Sequence, residues 1–308
     1  MKLVLFEHEG RTEPGVLAGD GVVSVAHLAQ SIPAIIDDYD RLRDGLLACT
    51  ERSPIPLDAV ALRAPIPRPR TILCAIANYW EHAQREPRPL HMYVKNPDAV
   101  IGPGDTIELP MTEAPWIFMH EAELALVFRG PTSPTPAERW QDAVFGYTCL
   151  IDVSARGHGR TSWGDFSWLG KSFDTFCPIG PCIVTADEIP DPNNLHVRMW
   201  NDGQLRHDYN TDDMEHRVPE LVSWATTRMT LQSGDVIACG TNHEGLGPIQ
   251  DGETLTLTID EIGSLVVSVR DPLQRSWERG VYMGHDSTNL TAVERRKRAA
   301  QEHGTSDA

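Results

Sequence analysis

Prolines and glycines recur along this chain at a density that disfavours a bundle of long helices: 23 and 24 of them in 308 residues. Proline fixes φ and removes a backbone donor, and glycine weakens a helix interior, so both cut regular structure into short pieces. Short strands joined by turns are the architecture such a chain favours. Turn signals of this kind stand at Gly102-Pro103-Gly104-Asp105, Gly180-Pro181, Ser233-Gly234-Asp235 and Asp251-Gly252-Glu253.

The length exceeds the roughly 100–200 residues of one typical domain, so one large unit and a smaller one are expected. Residues 2–6, 15–17 and 22–25 read as short strands separated by turns. Between 26 and 50, Leu28, Ile32, Ile35, Ile36, Tyr39, Leu42 and Leu46 recur at helical spacing, with Pro33 starting or interrupting the helix. Pro54, Pro56, Pro65, Pro67 and Pro69 then favour extended chain, which places a boundary near residue 65. The expected fold class is α+β and predominantly β. A small N-terminal α/β domain is expected over 1–65, a larger, mostly β domain over 66–272, and a polar C-terminal extension over 273–308. The later helices are expected at 218–227 and 292–301, and the terminus is expected to be mobile.

Charge and cysteine content exclude several classes. The chain carries 27 basic and 44 acidic residues, a formal charge of −17. Nucleic-acid binding wants basic patches, so no nucleic-acid partner is expected. The six cysteines form no CxxC pair, which argues against a zinc ribbon or a thioredoxin-type site; buried reduced thiols of a cytoplasmic protein are expected. No segment approaches the roughly 20 apolar residues of a membrane span, and no signal peptide is read at the start.

The chemistry concentrates in four segments. Residues 117–128, IFMHEAELALVF, read as one strand in which alternation puts Glu121 and Glu123 on one face. Two adjacent carboxylates repel unless a cation lies between them, and carboxylate oxygen suits Mg2+, Mn2+ or Ca2+. A strand with one solvated face reads the same locally. A second apolar strand, 143–151, ends at Asp152, followed by Arg156. Lys171 follows the aromatic residues Trp163, Phe166 and Trp168. In the fourth segment, Asn78 to Glu86, a helix would set His82 and Glu86 four residues apart, close enough to pair as a general base and its partner. A surface His–Glu pair is the plain alternative. Trp80, Trp163 and Trp168 line an apolar pocket or serve the core.

Taken together these segments resemble the fumarylacetoacetate hydrolase family. The resemblance rests on NYWEHA at 78–83, KNPDAVIGPGDTIELP at 95–110, EAELALVF at 121–128, GYTCLIDVSAR at 146–156, GKSFDTFCPIGP at 170–181 and SGDVIACGT at 233–241. It implies a mixed β-roll catalytic domain and a homodimer. It implies Mg2+ or Mn2+ on Glu121, Glu123 and Asp152, and a small oxo-acid substrate chelating the ion. It also implies His82 as the base that activates water; Glu86, from its helical spacing, is the expected catalytic partner of His82, and Lys171 is a further expected catalytic group. Tyr79, Arg156, Lys171, Thr241 and His243 are the expected substrate contacts. Three departures stand out. Arg85 occupies the place where members with a lid dyad carry Glu. Gly159 replaces a glutamine. The loop after Thr241 contains His243 and Glu244, which would set substrate choice or replace the lid Glu.

Three functions follow as alternatives. The first is hydrolysis of a C–C bond in an acylpyruvate or related 1,3-diketo acid, as in the catabolism of aromatic compounds. The second is decarboxylation, isomerisation or hydration of a small 2-oxo acid. The third is a catalytically inert metabolite-binding relative. A zinc hydrolase fits less well, because the candidate ligands are all oxygen.

Overall fold

The computed structural model describes residues 1–82, 85–112, 116–157, 167–284, 287 and 289–304. Strands dominate, as the proline and glycine density requires. The largest sheet has twelve strands. Its path runs from Ile55–Pro56 through Gly21–Ser24, Arg11–Ala18, Lys2–His8, Cys177–Thr185, Val144–Ile151, Ala122–Phe128, Val236–Ala238 and Ile72–Ala75 to Met92–Lys95. Neighbours along this path are antiparallel except Val236–Ala238, which runs parallel to Ile72–Ala75. A five-stranded sheet orders Gln204–Asn210, His196–Asn201, Thr254–Ile259, Gly263–Arg270 and Thr106–Glu108.

The central strands Ala122–Phe128 and Val144–Ile151 are buried at every position. A strand covered on both faces reads as a near-continuous apolar run, which is why their sequences lack strict alternation. The core around them includes Leu124, Leu126, Tyr147, Phe176 and the helix Val218–Thr226.

The strand expected over 117–128 is two strands. Trp116–Met119 pairs with Ser154–Gly157 in a separate two-stranded sheet, while Ala122–Phe128 pairs with Val144–Ile151 in the large one. The correction is local, because the register is unbroken. Ala122 faces Ile151, the Glu121 carbonyl accepts the Asp152 N–H at 2.8 Å, and Met119 faces Ser154. Both strands therefore bend out of the sheet together at His120–Glu121 and Asp152–Val153. The Val153 N–H turns to the Phe176 carbonyl at 3.2 Å.

The first helix spans Ile32–Asp37, begun by the Ser31 side chain, which accepts from Ala34 N–H, and by Pro33 in the first turn. It is followed by Tyr39–Cys49. These helices share a cluster with Val127, Phe145 and Ile183, and Lys2–His8 pairs with Cys177–Thr185. The sheet thus runs through residues on both sides of position 65. All six thiols are buried. A last helix occupies Leu290–Gly304. Among the described residues no helix is long and apolar enough to cross a membrane.

Candidate metal centre and its flanking dyads

The bend brings three carboxylates together. Glu121 and Glu123 share a face by alternation, and Asp152 lies directly across from Glu121 on the partner strand. One oxygen from each lies within 4.8 Å of the others, and all three residues are buried. Three hard oxygens from separate carboxylates match Mg2+ or Mn2+ chemistry. The electrostatics fit as well. Burial and the neighbouring Asp152 and Glu121 push the Glu123 carboxyl well above its usual range. Gly240 N–H donates to Glu123 Oε2 at 2.6 Å, and an ion held between the three carboxylates would offset the repulsion that remains.

The surroundings balance this charge. Lys171 Nζ donates to Glu121 Oε2 at 2.6 Å, to Asp152 Oδ2 at 2.7 Å and to Ser154 Oγ at 2.6 Å, so all three ammonium protons are engaged within the centre. Lys95 Nζ donates to Asp152 Oδ1 at 2.6 Å and to the Lys171 carbonyl, and the Tyr93 hydroxyl donates to Asp152 Oδ2. Arg156 reaches Glu121 Oε1 at 3.2 Å. Burial opposes ionisation of Glu121, yet Lys171 and Arg156 outweigh it and hold that carboxyl well below the usual range. Lys95, Lys171 and Arg156 thus match the three carboxylates, and a divalent ion leaves excess positive charge that suits an anionic ligand.

Gly240 needs to be glycine. Its φ is +89°, and a Cβ would lie 3.0 Å from the Asn78 Cβ. Asn78 in turn donates to the Cys239 and His216 carbonyls, both at 2.9 Å. Thr241 follows, 2% exposed. Tyr79 stands edge-on to Tyr209 in the core with ring centroids 5.0 Å apart, and the Tyr209 hydroxyl donates to the Ala122 carbonyl.

The expected helical pair of His82 and Glu86 does not form. Glu81 and His82 lie in a turn with φ of +50° and +61°, and Glu86 is exposed. Arg85 makes a double hydrogen bond to Glu215, at 2.8 and 2.6 Å, and Arg88 Nε adds another at 2.9 Å. The buried Glu215 carboxylate pins the base of the segment and leaves its tip to meet the 243–245 turn. There two His–Glu pairs cross: His82 Nε2 lies 3.2 Å from Glu244 Oε2, and His243 Nδ1 lies 2.6 Å from Glu81 Oε1.

Behind the bend, His120 Nδ1 lies 3.0 Å from His207 Nε2, and His207 Nδ1 lies 3.0 Å from the Asn242 carbonyl. A carbonyl only accepts, so neutral His207 carries its proton on Nδ1 and neutral His120 donates to it. Burial pulls His120 well below its usual range and His207 down to about 4.

Of the residues anticipated from sequence, Glu121, Glu123, Asp152, Arg156 and Lys171 meet in one cluster, and Thr241 adjoins it through Gly240. Gly159, Trp163 and Phe166 lie outside the described residues. Lys95, Tyr93, Ser154 and Glu81 went unassigned. Lys95 heads one of the recognisable strings, so its position could have been flagged. Glu244 was anticipated as a replacement for the lid Glu, but the pairing of His82 with Glu244 and the role of Glu81 come only from packing between segments 162 residues apart.

The family model described as fumarylacetoacetate (FAA) hydrolase C-terminal matches residues 71–270. The mitochondrial oxaloacetate tautomerase fahd2 of Xenopus laevis is 32% identical over 291 residues, covering 86% of this chain and 89% of its own. Maleylpyruvate hydrolase from Sphingobium sp. SYK-6, in complex with manganese(II) ion and pyruvate, is 34% identical with a TM-score of 0.78 over 88% of this chain and 99% of that one. A 5-carboxymethyl-2-hydroxymuconate delta-isomerase from Mycobacterium smegmatis is 33% identical with a TM-score of 0.72, over 88% of this chain and 100% of that one.

Proposed function

Because the chain belongs to the fumarylacetoacetate hydrolase family, a family of metal-dependent enzymes, we propose that it hydrolyses a C–C bond in an acylpyruvate or related 1,3-diketo acid. The observation that carries this reading is the His82–Glu244 pair. Hydrolysis needs a base for water, whereas decarboxylation does not. Glu244 Oε2 lies 3.2 Å from His82 Nε2 and orients the imidazole that would accept the proton of water. The solved relative that holds Mn2+ and pyruvate is a maleylpyruvate hydrolase, which supports an acylpyruvate as substrate.

A divalent ion on Glu121, Glu123 and Asp152 would polarise the carbonyl oxygens of the oxo acid. The chain's own groups do the rest. Lys171 and Lys95 hold Glu121 and Asp152 in place, Gly240 N–H fixes Glu123, and His82 takes the proton of the attacking water. The excess positive charge at the centre favours the anionic substrate over its neutral analogues.

A product assay on a panel of acylpyruvates and oxaloacetate, with Mg2+ or Mn2+ and then with chelator, tests this. Chelator-sensitive release of pyruvate and a carboxylic acid is expected. Enol–keto conversion or carbon dioxide release from oxaloacetate without any acylpyruvate cleavage would replace hydrolysis with the second reading, tautomerisation or decarboxylation. The tautomerase and isomerase relatives favour that reading. The proposed working unit is a homodimer. The exposure of Val94 and Leu169 beside a cleft of about 600 Å³ supports it, and sedimentation checks it.

A further inference from the structure

Only one of the two crossed pairs enters the scheme above, and the other is better enclosed. Glu81 Oε1 accepts both His243 Nδ1 at 2.6 Å and the His243 backbone N–H at 2.9 Å. The Glu81 and His243 side chains are 9% and 13% exposed, against 64% for His82. Asp213 ties both segments down: its Oδ2 accepts the Glu81 N–H at 3.2 Å and the Asn242 amide at 3.1 Å.

This geometry fixes the tautomer. A carboxylate oxygen only accepts, so His243 carries a proton on Nδ1, and Nε2 is the nitrogen that gains or loses one: a lone pair in the neutral ring, an N–H in the protonated ring. No described residue hydrogen-bonds that nitrogen. His243 stands three residues after Gly240, whose N–H grips Glu123, so about 11 Å of chain at most separates the two Cα atoms. When protonated, His243 is near enough to Glu121 to help lower that carboxyl.

We propose that His243, oriented by Glu81, moves the proton on and off carbon in the oxo-acid substrate, while His82 handles the proton of water. This rests on the oxo-acid reading above. In acylpyruvate hydrolysis, the hydroxide part of water bonds to the acyl carbon. The C–C bond breaks with its electron pair left on C3 of the pyruvate half. Protonated His243 then gives its Nε2 proton to C3, and His82 keeps the proton taken from water. Exchange with solvent resets both rings, so one water is consumed in all. With pyruvate alone, Nε2 takes a C3 proton to leave the enolate and returns one that has exchanged with solvent. Cleavage of this kind always leaves a carbon to be protonated, and an enclosed imidazole with its own carboxylate is suited to that task. Glu81 is the positioning residue.

The test is deuterium entry into the methyl group of pyruvate in D2O, followed by proton NMR on the Mg2+-loaded protein. Exchange by the unmodified protein is expected. His243→Asn should slow it by roughly 10²–10⁴-fold, and His82→Asn, which removes the base for water, should slow it at least about 10-fold less. Glu81→Gln should slow it by about 10–10²-fold, with partial rescue by Glu81→Asp. In metal-free, 15N-histidine-labelled protein, His243 should show the Nδ1-protonated tautomer, lost in Glu81→Gln and kept in His82→Asn. If His243→Asn does not fold, exchange restored to His243→Ala by added imidazole serves instead, and no restoration counts against the proposal. Unchanged exchange in folded His243→Asn, or an equal loss in His82→Asn, overturns it. Pyruvate that binds, read by Mn2+ relaxation of its methyl signal, but never exchanges overturns this assignment alone. Absence of binding removes the oxo-acid reading with it.

Discussion

Asp152 N–H donates to the Glu121 carbonyl at 2.8 Å, so the two residues face each other across adjacent strands where both leave the large sheet. The metal centre is built on that backbone pairing. Glu121 and Asp152 are cross-strand partners, and Glu123 is two residues along on the same face. The ladder holds the carboxylates at metal-binding distance before any ion arrives.

Glu121→Gln and Asp152→Asn should each weaken Mn2+ binding by at least about 10²-fold in calorimetric titration and abolish turnover. The backbone pairing should survive, so circular dichroism should stay unchanged. A variant that keeps both metal and activity would place the ion elsewhere.

Lys171→Met should destabilise the metal-free protein by about 3–5 kcal/mol, because it leaves Glu121 and Asp152 buried without their shared cation. A divalent ion compensates for part of that loss. The rise in Tm on adding Mn2+ should therefore be larger in the variant than in the unmodified protein. An equal rise would mean that Lys171 and the ion do not serve the same carboxylates.

His82→Asn should lower acylpyruvate hydrolysis by roughly 10²–10⁴-fold and leave Mn2+ affinity as it was. Glu244→Gln should cost less, about 10–10²-fold, because it removes the partner and not the base. Glu86→Gln should change neither, since Glu86 is exposed and pairing goes to Glu244.

Acid should loosen the His82 segment through Glu215. Burial opposes its ionisation, but Arg85 and Arg88 hold its carboxyl at about 2, below the ordinary 4.5. A carboxyl depressed in the folded state binds its proton first in the unfolded chain. Its stabilisation is therefore complete above about 4.5 and lost as pH falls toward 2. The contribution is on the order of 2 kcal/mol, given the half-exposed arginines. His207 is neutral in the fold down to about 4 and titrates near 6.5 when unfolded, so its share is lost as pH falls from 6.5 to 4. Urea denaturation from pH 7 to 3 should show both losses, and Glu215→Gln should flatten only the lower one.

Removal of residues 280–308 should slow turnover while leaving most of the thermal stability. Tyr282 N–H donates to the Leu246 carbonyl at 2.7 Å and Asn289 to the Glu244 carbonyl at 3.0 Å, so the extension braces the turn that carries His243 and Glu244. Unchanged kinetics in the truncated protein would show that the turn holds its shape without it.

The sequence by itself determined the class of fold and the kind of chemistry. Frequent proline and glycine limited the chain to short strands and turns. Period-two alternation placed Glu121 and Glu123 on one face, and the apolar strand ending at Asp152 supplied the third carboxylate, because these are consequences of local covalent geometry. Tertiary structure decided the partners. Helical spacing offered Glu86 to His82, but a turn with positive φ at Glu81 and His82, anchored by Arg85 on Glu215, turned the segment toward a loop 162 residues away. Lys95 became a member of the centre only because the last strand of the sheet's path, Met92–Lys95, ends where its ammonium reaches Asp152. Contacts of that separation leave no periodic trace in a single sequence, since they depend on where whole strands pack and not on the spacing of neighbours along the chain.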